Sequence, residues 1–172
     1  MYFFFAFPEK EISLNDLVKS VNISKTTANK VVSKLVKEDF LKIQQIGKTW
    51  RISCDQKHSF NTFRKVPYNL ELVYESGITE EILKAIPGVR CIILFGSYRK
   101  GDDVESSDLD IAVETLDSEE MRIINFGVIQ RLGYRQNVHV NIVKFSRKNI
   151  DINLFVNIAN GIVLHGLLEV KI

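Results

Sequence analysis

The sequence predicts an α+β protein built of two units, a basic N-terminal unit and an acidic C-terminal unit. Residues 1–66 carry 12 Lys and Arg against 6 Asp and Glu, whereas residues 67–172 carry 11 against 15. The N-terminal unit shows helical spacing followed by a hairpin pattern, and the C-terminal unit contains an apolar strand that leads into a Gly-Ser turn. We expect domains over 1–56 and 78–172, with a connecting helix region over 57–77.

Composition excludes several classes of protein. The 172 residues contain no apolar run close to the roughly 20 residues that a membrane helix needs. The apolar start MYFFFAF is too short for a signal peptide and lacks a cleavage pattern. Cys54 and Cys91 are far apart and form no CxxC pattern, so neither a disulfide framework nor a zinc site is indicated. We therefore expect a cytoplasmic protein without a membrane partner.

Two short amphipathic helices are predicted in the basic unit. Ser13 and Asp16 form a capping-box pattern ahead of the first helix, and Ser24 is the expected N-cap of the second. Two helices joined by a tight turn make a helix-turn-helix. The following stretch LKIQQIGKTWRISCD alternates around Ile46-Gly47-Lys48, which indicates a β-hairpin.

The stretch from about Glu11 to Ser53 resembles the winged-helix DNA-binding domains of small prokaryotic regulators. In this class of domain the start of the second helix and the hairpin contact bases and phosphates. The predicted DNA-binding residues are Lys25, Thr26, Asn29, Lys30, Lys48 and Arg51. The resemblance also makes a homodimer on a two-fold DNA site plausible. The alternatives left open are that these charges only solvate the surface, or that the unit binds RNA or protein.

The acidic unit carries a distinctive strand-turn-strand pattern. A connecting helix is expected from near Tyr68 to Gly77, followed by a helix in ITEEILKAIPG and a buried strand in VRCIILF. Gly96 and Ser97 end that strand, and a turn there can offer N–H groups and a hydroxyl to phosphate oxygens. Ten residues later Asp108 and Asp110 share one face of a second strand, where two carboxylates suit Mg²⁺.

The segment GSYRKGDDVESSDLDIAV matches the G-S-x10-D-x-D signature of the nucleotidyltransferase superfamily that includes DNA polymerase β. The unit from about residue 68 onward resembles the minimal nucleotidyltransferases of archaea and bacteria, which implies a small mixed β-sheet with flanking helices. By this resemblance Gly96 and Ser97 hold the phosphates of an NTP such as ATP. The same resemblance implies that Asp108 and Asp110 bind two Mg²⁺ ions, or Mn²⁺ in their place, and that Lys100 screens the triphosphate.

One position departs from the family pattern. A helix is predicted over SEEMRIINFGVIQRLG with Ser118 as its cap, followed by the strand NVHVNIVKF. The third carboxylate of the family aligns with Asn141, which can offer a carbonyl oxygen to a metal but cannot act as a base. His139 shares the face of Asn141 and is a possible base, but a surface position without a catalytic role is favoured for it. A last helix capped by Ser146 and a short apolar segment close the chain.

The predicted function is transfer of AMP from ATP to a hydroxyl of a protein or nucleic acid, by an enzyme localised on DNA. Relatives of this type occur as antitoxins that adenylylate a HEPN ribonuclease toxin, which makes such a toxin a candidate partner by resemblance. The alternative is a DNA-binding transcriptional regulator whose C-terminal unit senses a nucleotide, or serves for interaction, without catalysis. Asn141 is the feature that favours this alternative.

Overall fold

The computed structural model describes residues 1–47, 49–116 and 120–169. In the N-terminal unit both predicted helices and the hairpin are present. Ser13 Oγ accepts a hydrogen bond from the Asp16 amide at 3.1 Å, and Ser24 Oγ accepts one from the Thr27 amide at 3.1 Å, as expected for N-caps. The elements are α1 (Tyr2–Ala6), β1 (Ile12–Ser13), α2 (Leu14–Val21), α3 (Lys25–Lys37), β2 (Leu41–Ile46) and β3 (Thr49–Cys54).

The phenylalanine-rich start of the chain forms the core of this unit. Phe3, Phe4 and Phe5 in α1 are almost fully buried against α2, α3 and the three-stranded antiparallel sheet β1-β3-β2. The same end of the chain contacts the C-terminal unit, because the rings of Phe3 and Tyr134 are 6.1 Å apart between centroids. Burial of these aromatic rings therefore both stabilises the N-terminal unit and joins it to the rest of the protein.

The connecting segment contains two helices, α4 (Phe60–Phe63) and α5 (Lys65–Glu75). The predicted start near Tyr68 was three residues late. Pro67 lies in the first turn of α5, where the missing N–H has no helical partner to lose, so proline does not delay the helix. The predicted end is confirmed, because Gly77 follows in the left-handed conformation.

The C-terminal unit is a five-stranded mixed sheet with helices around it. The strand order is β6-β7-β5-β4-β8, in which β5 and β7 are parallel and the other neighbours are antiparallel. Cys91 is fully buried in β4, as predicted for an inner strand. The elements are α6 (Ile78–Ala85), β4 (Val89–Phe95), α7 (Gly96–Lys100), β5 (Leu109–Thr115), β6 (Arg122–Leu132), β7 (Arg135–Phe145), α8 (Ile152–Ala159) and β8 (Ile162–Gly166).

The helix predicted over SEEMRIINFGVIQRLG was wrong. Residues 122–132 form β6, an edge strand that pairs with β7 through a turn at Gly133 and Tyr134. Pairing with the neighbouring strand overrode a spacing of apolar residues that is also compatible with a helix. As an edge strand β6 keeps some apolar side chains in solvent, and Ile123 is 71% exposed. The predicted cap Ser118 lies outside the described residues.

The predicted cap of the last helix was also wrong. Asp151, rather than Ser146, caps α8, and its Oδ1 accepts hydrogen bonds from the amides of Asn153 and Leu154. Ser146 is buried just after β7, where a turn precedes the helix. On the inner face of α8, Ile158 is fully buried against the sheet. Across the described part of the chain, no helix combines the length and apolar character needed to cross a membrane.

Candidate active site

Strand register brings the two halves of the G-S-x10-D-x-D signature together. Strands β4 and β5 are antiparallel, and Phe95 at the end of β4 lies opposite Asp110 near the start of β5. Gly96 and Ser97 follow Phe95 directly and begin α7, while Asp108 immediately precedes β5. The intervening loop therefore returns the chain beside its first strand, and the two aspartates lie at the same end of the sheet as the Gly-Ser turn.

Gly96 is required at this turn for two reasons. Its φ of +73° lies in the left-handed region, which favours glycine. A Cβ added to Gly96 would also overlap the carboxylate of Asp110, so the carboxylate packs directly on the glycine backbone. Any side chain at this position would displace Asp110, so the position of the carboxylate depends on glycine at residue 96.

Asn141 lies beside the two aspartates and forms part of the same site. The parallel register of β5 and β7 places Asn141 directly beside Asp110, and its Nδ2 donates a hydrogen bond to Asp108 Oδ2 at 3.0 Å. The pKa of Asp110 is raised above its ordinary value, mainly because the carboxylate is buried. A hydrogen bond from Asn141 opposes this rise, and the negative charge of Asp108 adds to it. Asn141 thus links two carboxylates that would otherwise repel each other.

This donor set fits one divalent cation. Mg²⁺ commonly takes one or two carboxylates from the protein and completes its shell with water and substrate phosphates. Asp108 and Asp110 supply two such carboxylates in adjacent positions, and the described residues contain no group of three or more His, Cys, Asp and Glu side chains arranged for a metal. A carbonyl oxygen from Asn141 would become available only if its amide turned over, because the nitrogen now faces Asp108.

A cleft of about 260 Å³ adjoins the Gly-Ser turn. It lies between α7 and α8 and is lined by Phe95, Gly96, Arg99, Lys100, Leu154, Asn157 and Asn160. Lys100 is exposed and lines the same cleft as Gly96. Arg99 was missed by the sequence analysis. Both side chains belong to the last turn of α7, and this shared position in the short helix was the available signal.

A buried polar network supports the loop between α7 and β5. Asp103 in this loop is 2% exposed and contacts Lys65 Nζ through Oδ1 at 3.2 Å. Asn69 Nδ2 donates to the same oxygen at 2.7 Å, and Arg135 Nη1 lies 3.6 Å from Oδ2. Burial raises the pKa of Asp103 and lowers the pKa of Lys65, while their mutual attraction opposes both shifts.

Arg135 connects this network to the signature itself. Its guanidinium donates hydrogen bonds to the hydroxyl of Tyr98 and to the backbone carbonyls of Glu105 and Ser107. Because Ser107 precedes Asp108, the network positions the carboxylate end of the loop. Sequence analysis missed these residues, since a lone charged side chain in a loop or helix has the same pattern whether it is solvated or buried.

Most of the predicted DNA-binding residues of the N-terminal unit are exposed. Lys25, Thr26 and Lys30 are exposed at the start of α3. Asn29 is half-buried, and its Oδ1 has no hydrogen-bond partner among the described residues. Arg51 is exposed on β3 but forms an ion pair with Glu11 at 3.2 Å. The predicted residue Lys48 lies outside the described residues.

A groove of about 350 Å³ runs between α3 and the hairpin. Its lining includes Lys25, Asn29, Ser33, Thr49 and Trp50. The side chains are mostly polar or basic, and Trp50 packs partly against the core of the unit. This surface is the candidate nucleic-acid interface, and DNA binding stays a prediction.

Two comparisons bear on this geometry. The family model described as Polymerase beta, Nucleotidyltransferase matches residues 78–167, which is more than half of the chain. The comparison with curated proteins gives no match. The matched range contains β4, the Gly-Ser turn, both aspartates and Asn141, so the superfamily inferred from the signature is confirmed.

Proposed function

Because the chain belongs to the polymerase beta nucleotidyltransferase family, we propose that it transfers AMP from ATP to a hydroxyl group of a protein or nucleic acid. The observation that carries this proposal is the register of β4 and β5, which sets Asp108 and Asp110 beside Gly96 and Ser97. Nucleotidyl transfer needs a phosphate-binding turn and metal-binding carboxylates at one place. In this proposal the Gly-Ser turn is the phosphate-binding part, and Asp108 and Asp110 are the metal-binding part.

Each residue of the signature has a role in this proposal. Asp108 and Asp110 would hold Mg²⁺ or Mn²⁺, which supplies neutralisation of the charge on the transferring phosphoryl group. Gly96 allows the backbone to approach the phosphates, and the Ser97 hydroxyl donates to them. Arg99 and Lys100 add positive charge along the adjoining cleft, where the triphosphate would lie.

The acceptor hydroxyl must lose a proton, and Asn141 cannot accept one. His139 is exposed two residues along β7, about 7 Å away by strand geometry, and is not in the third ligand position. We infer that a base elsewhere on the acceptor molecule, or solvent, takes this proton as the acceptor oxygen bonds to the α-phosphorus and pyrophosphate leaves, and that transfer is slow. An acceptor on a partner protein, such as a HEPN-type toxin, could bring its own base.

We propose that the N-terminal unit is a winged helix that binds DNA and localises the enzyme. Support comes from the exposed Lys25 and Lys30 at the start of α3 and from the polar groove beside the hairpin. These are the positions that enter or border the major groove in this class of domain. A homodimer on a two-fold DNA site is part of the same proposal.

Incubation with radiolabelled ATP tests the transferase. Purified protein would be combined with ATP, Mg²⁺ or Mn²⁺ and a lysate of the source cells, with the double variant Asp108→Ala, Asp110→Ala as the control. We expect the wild-type protein to transfer label to an acceptor and the double variant to transfer none. Equal labelling by the double variant would exclude these carboxylates from the reaction.

Asn141 also favours a second candidate function, a transcriptional regulator that senses a nucleotide. Its amide bridges the carboxylates where the family has a third acid, and a site of this kind can retain nucleotide binding without turnover. Absence of labelled product together with metal-dependent ATP binding would support the regulator. Change in DNA affinity on adding ATP would then be its direct readout.

A further inference from the structure

A second polar cavity lies at the opposite end of the sheet from the signature. It measures about 210 Å³ and lies where β5 ends, β4 begins and the chain leaves β7. Glu114, in its lining, is four residues along β5 from Asp110, which corresponds to about 13 Å. The cavity is therefore separate from the cleft beside the Gly-Ser turn.

Three buried polar atoms around this cavity have no hydrogen-bond partner among the described residues. They are Glu114 Oε2, Ser146 Oγ and Arg147 Nη2, and all three side chains line the cavity. Glu114 is 1% exposed and Ser146 is 6% exposed. A buried polar atom without a partner destabilises the fold, so three around one cavity point to a polar ligand that completes them.

The charges favour an anionic ligand. Arg147 Nε donates to Glu114 Oε1, which fixes the guanidinium, whereas Nη2 has no hydrogen-bond partner among the described residues. Glu169 contacts Arg90 at 3.5 Å and Arg147 at 3.8 Å. Lys148 also lines the cavity, is exposed, and adds a third cation against these two carboxylates. The described part of the site therefore has a net positive charge.

We propose that this cavity binds a small phosphate monoester that carries a neighbouring hydroxyl group, of the sugar phosphate type. Phosphate oxygens would accept hydrogen bonds from Arg147 Nη2, the Ser146 hydroxyl and Lys148. Glu114 Oε2 is an acceptor and requires a donor from the ligand. A monoester near pH 7 is mostly a dianion without a P–OH group, so its sugar hydroxyl supplies that donor.

Calorimetric titration of the full chain with ribose 5-phosphate, inorganic phosphate and ribose tests the proposal. We expect saturable binding of ribose 5-phosphate, weaker binding of inorganic phosphate and no binding of ribose. The variant Asp108→Ala, Asp110→Ala should bind ribose 5-phosphate as the wild type does. Loss of binding in that variant would move the ligand to the signature, and phosphate binding as tight as that of the monoester would overturn the role of Glu114.

Side-chain variants locate the binding. The double change Ser146→Ala, Lys148→Ala should weaken ribose 5-phosphate binding about tenfold or more, because it removes two donors and leaves the Glu114 and Arg147 pair intact. Arg147→Lys should also weaken it, because lysine can pair with Glu114 but lacks the second arm of the guanidinium. Lys84→Ala on α6 is the matched surface control. Unchanged binding in both test variants, with folding verified by thermal melting, would overturn the site.

Discussion

The two units present their functional residues in different ways. In the N-terminal unit, Lys25 and Lys30 are exposed side chains on one helix and do not contribute to the core. In the C-terminal unit, Asp108 and Asp110 depend on strand register, on Gly96, and on a buried network that includes Asp103. The N-terminal surface can therefore be altered without affecting the fold, whereas the position of the C-terminal carboxylates depends on buried contacts of the fold.

The largest expected effect is on stability and comes from the buried network. Asp103→Ala would leave Lys65 and Arg135 buried without their carboxylate, and removal of one partner from such a group typically costs about 3–5 kcal/mol. Chemical denaturation should show this loss in the free energy of unfolding. Asp102→Ala, at the exposed neighbouring position, is the control and should change stability by about 0.5 kcal/mol or less.

A smaller change in free energy is expected for DNA binding. Lys25→Glu with Lys30→Glu should weaken affinity for duplex DNA by about 2–3 kcal/mol at low salt, because two phosphate contacts become repulsive. The melting temperature should stay the same, since both side chains are exposed. Fluorescence anisotropy across a salt series measures the effect, with Lys84→Glu in the C-terminal unit as the control. Unaltered affinity would mean that α3 is not the DNA-contacting helix.

The third prediction concerns Asn141. Asn141→Asp restores a carboxylate in the position of the family's third acid, and we expect label transfer from ATP to rise by about 10²-fold if proton transfer limits the wild type. Asn137→Asp makes the same charge change at an exposed position of β7 and should have no effect. If the two variants transfer label equally, the missing acid is not the limitation.

The smallest effect is a pH-dependent gain in stability. Burial raises the pKa of Asp110 in the folded state, so the folded protein holds that proton more tightly than the unfolded chain. Ionised Asp110 therefore destabilises the fold. The full destabilisation is present at a pH above the raised pKa, and none is present at a pH below the ordinary pKa of Asp. Asp110→Asn should raise the melting temperature without metal at pH 7. The gain should disappear at about pH 3, below the ordinary pKa, and a gain of equal size at both pH values would exclude this cause.

Local patterns predicted much of this protein, and long-range pairing explains the rest. Local sequence patterns were enough to predict the helix caps Ser13 and Ser24 and the strands β4 and β5. Strand β6 could not be predicted in this way, because its partner β7 decides its conformation. The buried contacts of Lys65 and Asp103 join residues 38 positions apart and leave no mark on the local sequence.

The placement of Asn141 shows what a resemblance can add. The resemblance aligns the family's third acid with Asn141, and the register of β5 and β7 pairs this residue with Asp110. The hydrogen bond from Asn141 to Asp108 could not be read from the sequence, since it depends on side-chain orientation across two strands. The cavity lined by Glu114 and Arg147 was equally hidden, because its residues come from three separate segments.

Binding of ATP at the signature end of the sheet directly tests whether Asp108 and Asp110 hold the metal. Calorimetric titration of ATP with Mg²⁺ into the wild-type protein should show saturable binding that disappears when the metal is chelated. The variant Asp108→Ala, Asp110→Ala should lose this metal-dependent binding, because both proposed metal ligands are removed. Binding by the variant that equals the wild type and still requires Mg²⁺ would contradict the assignment of these carboxylates.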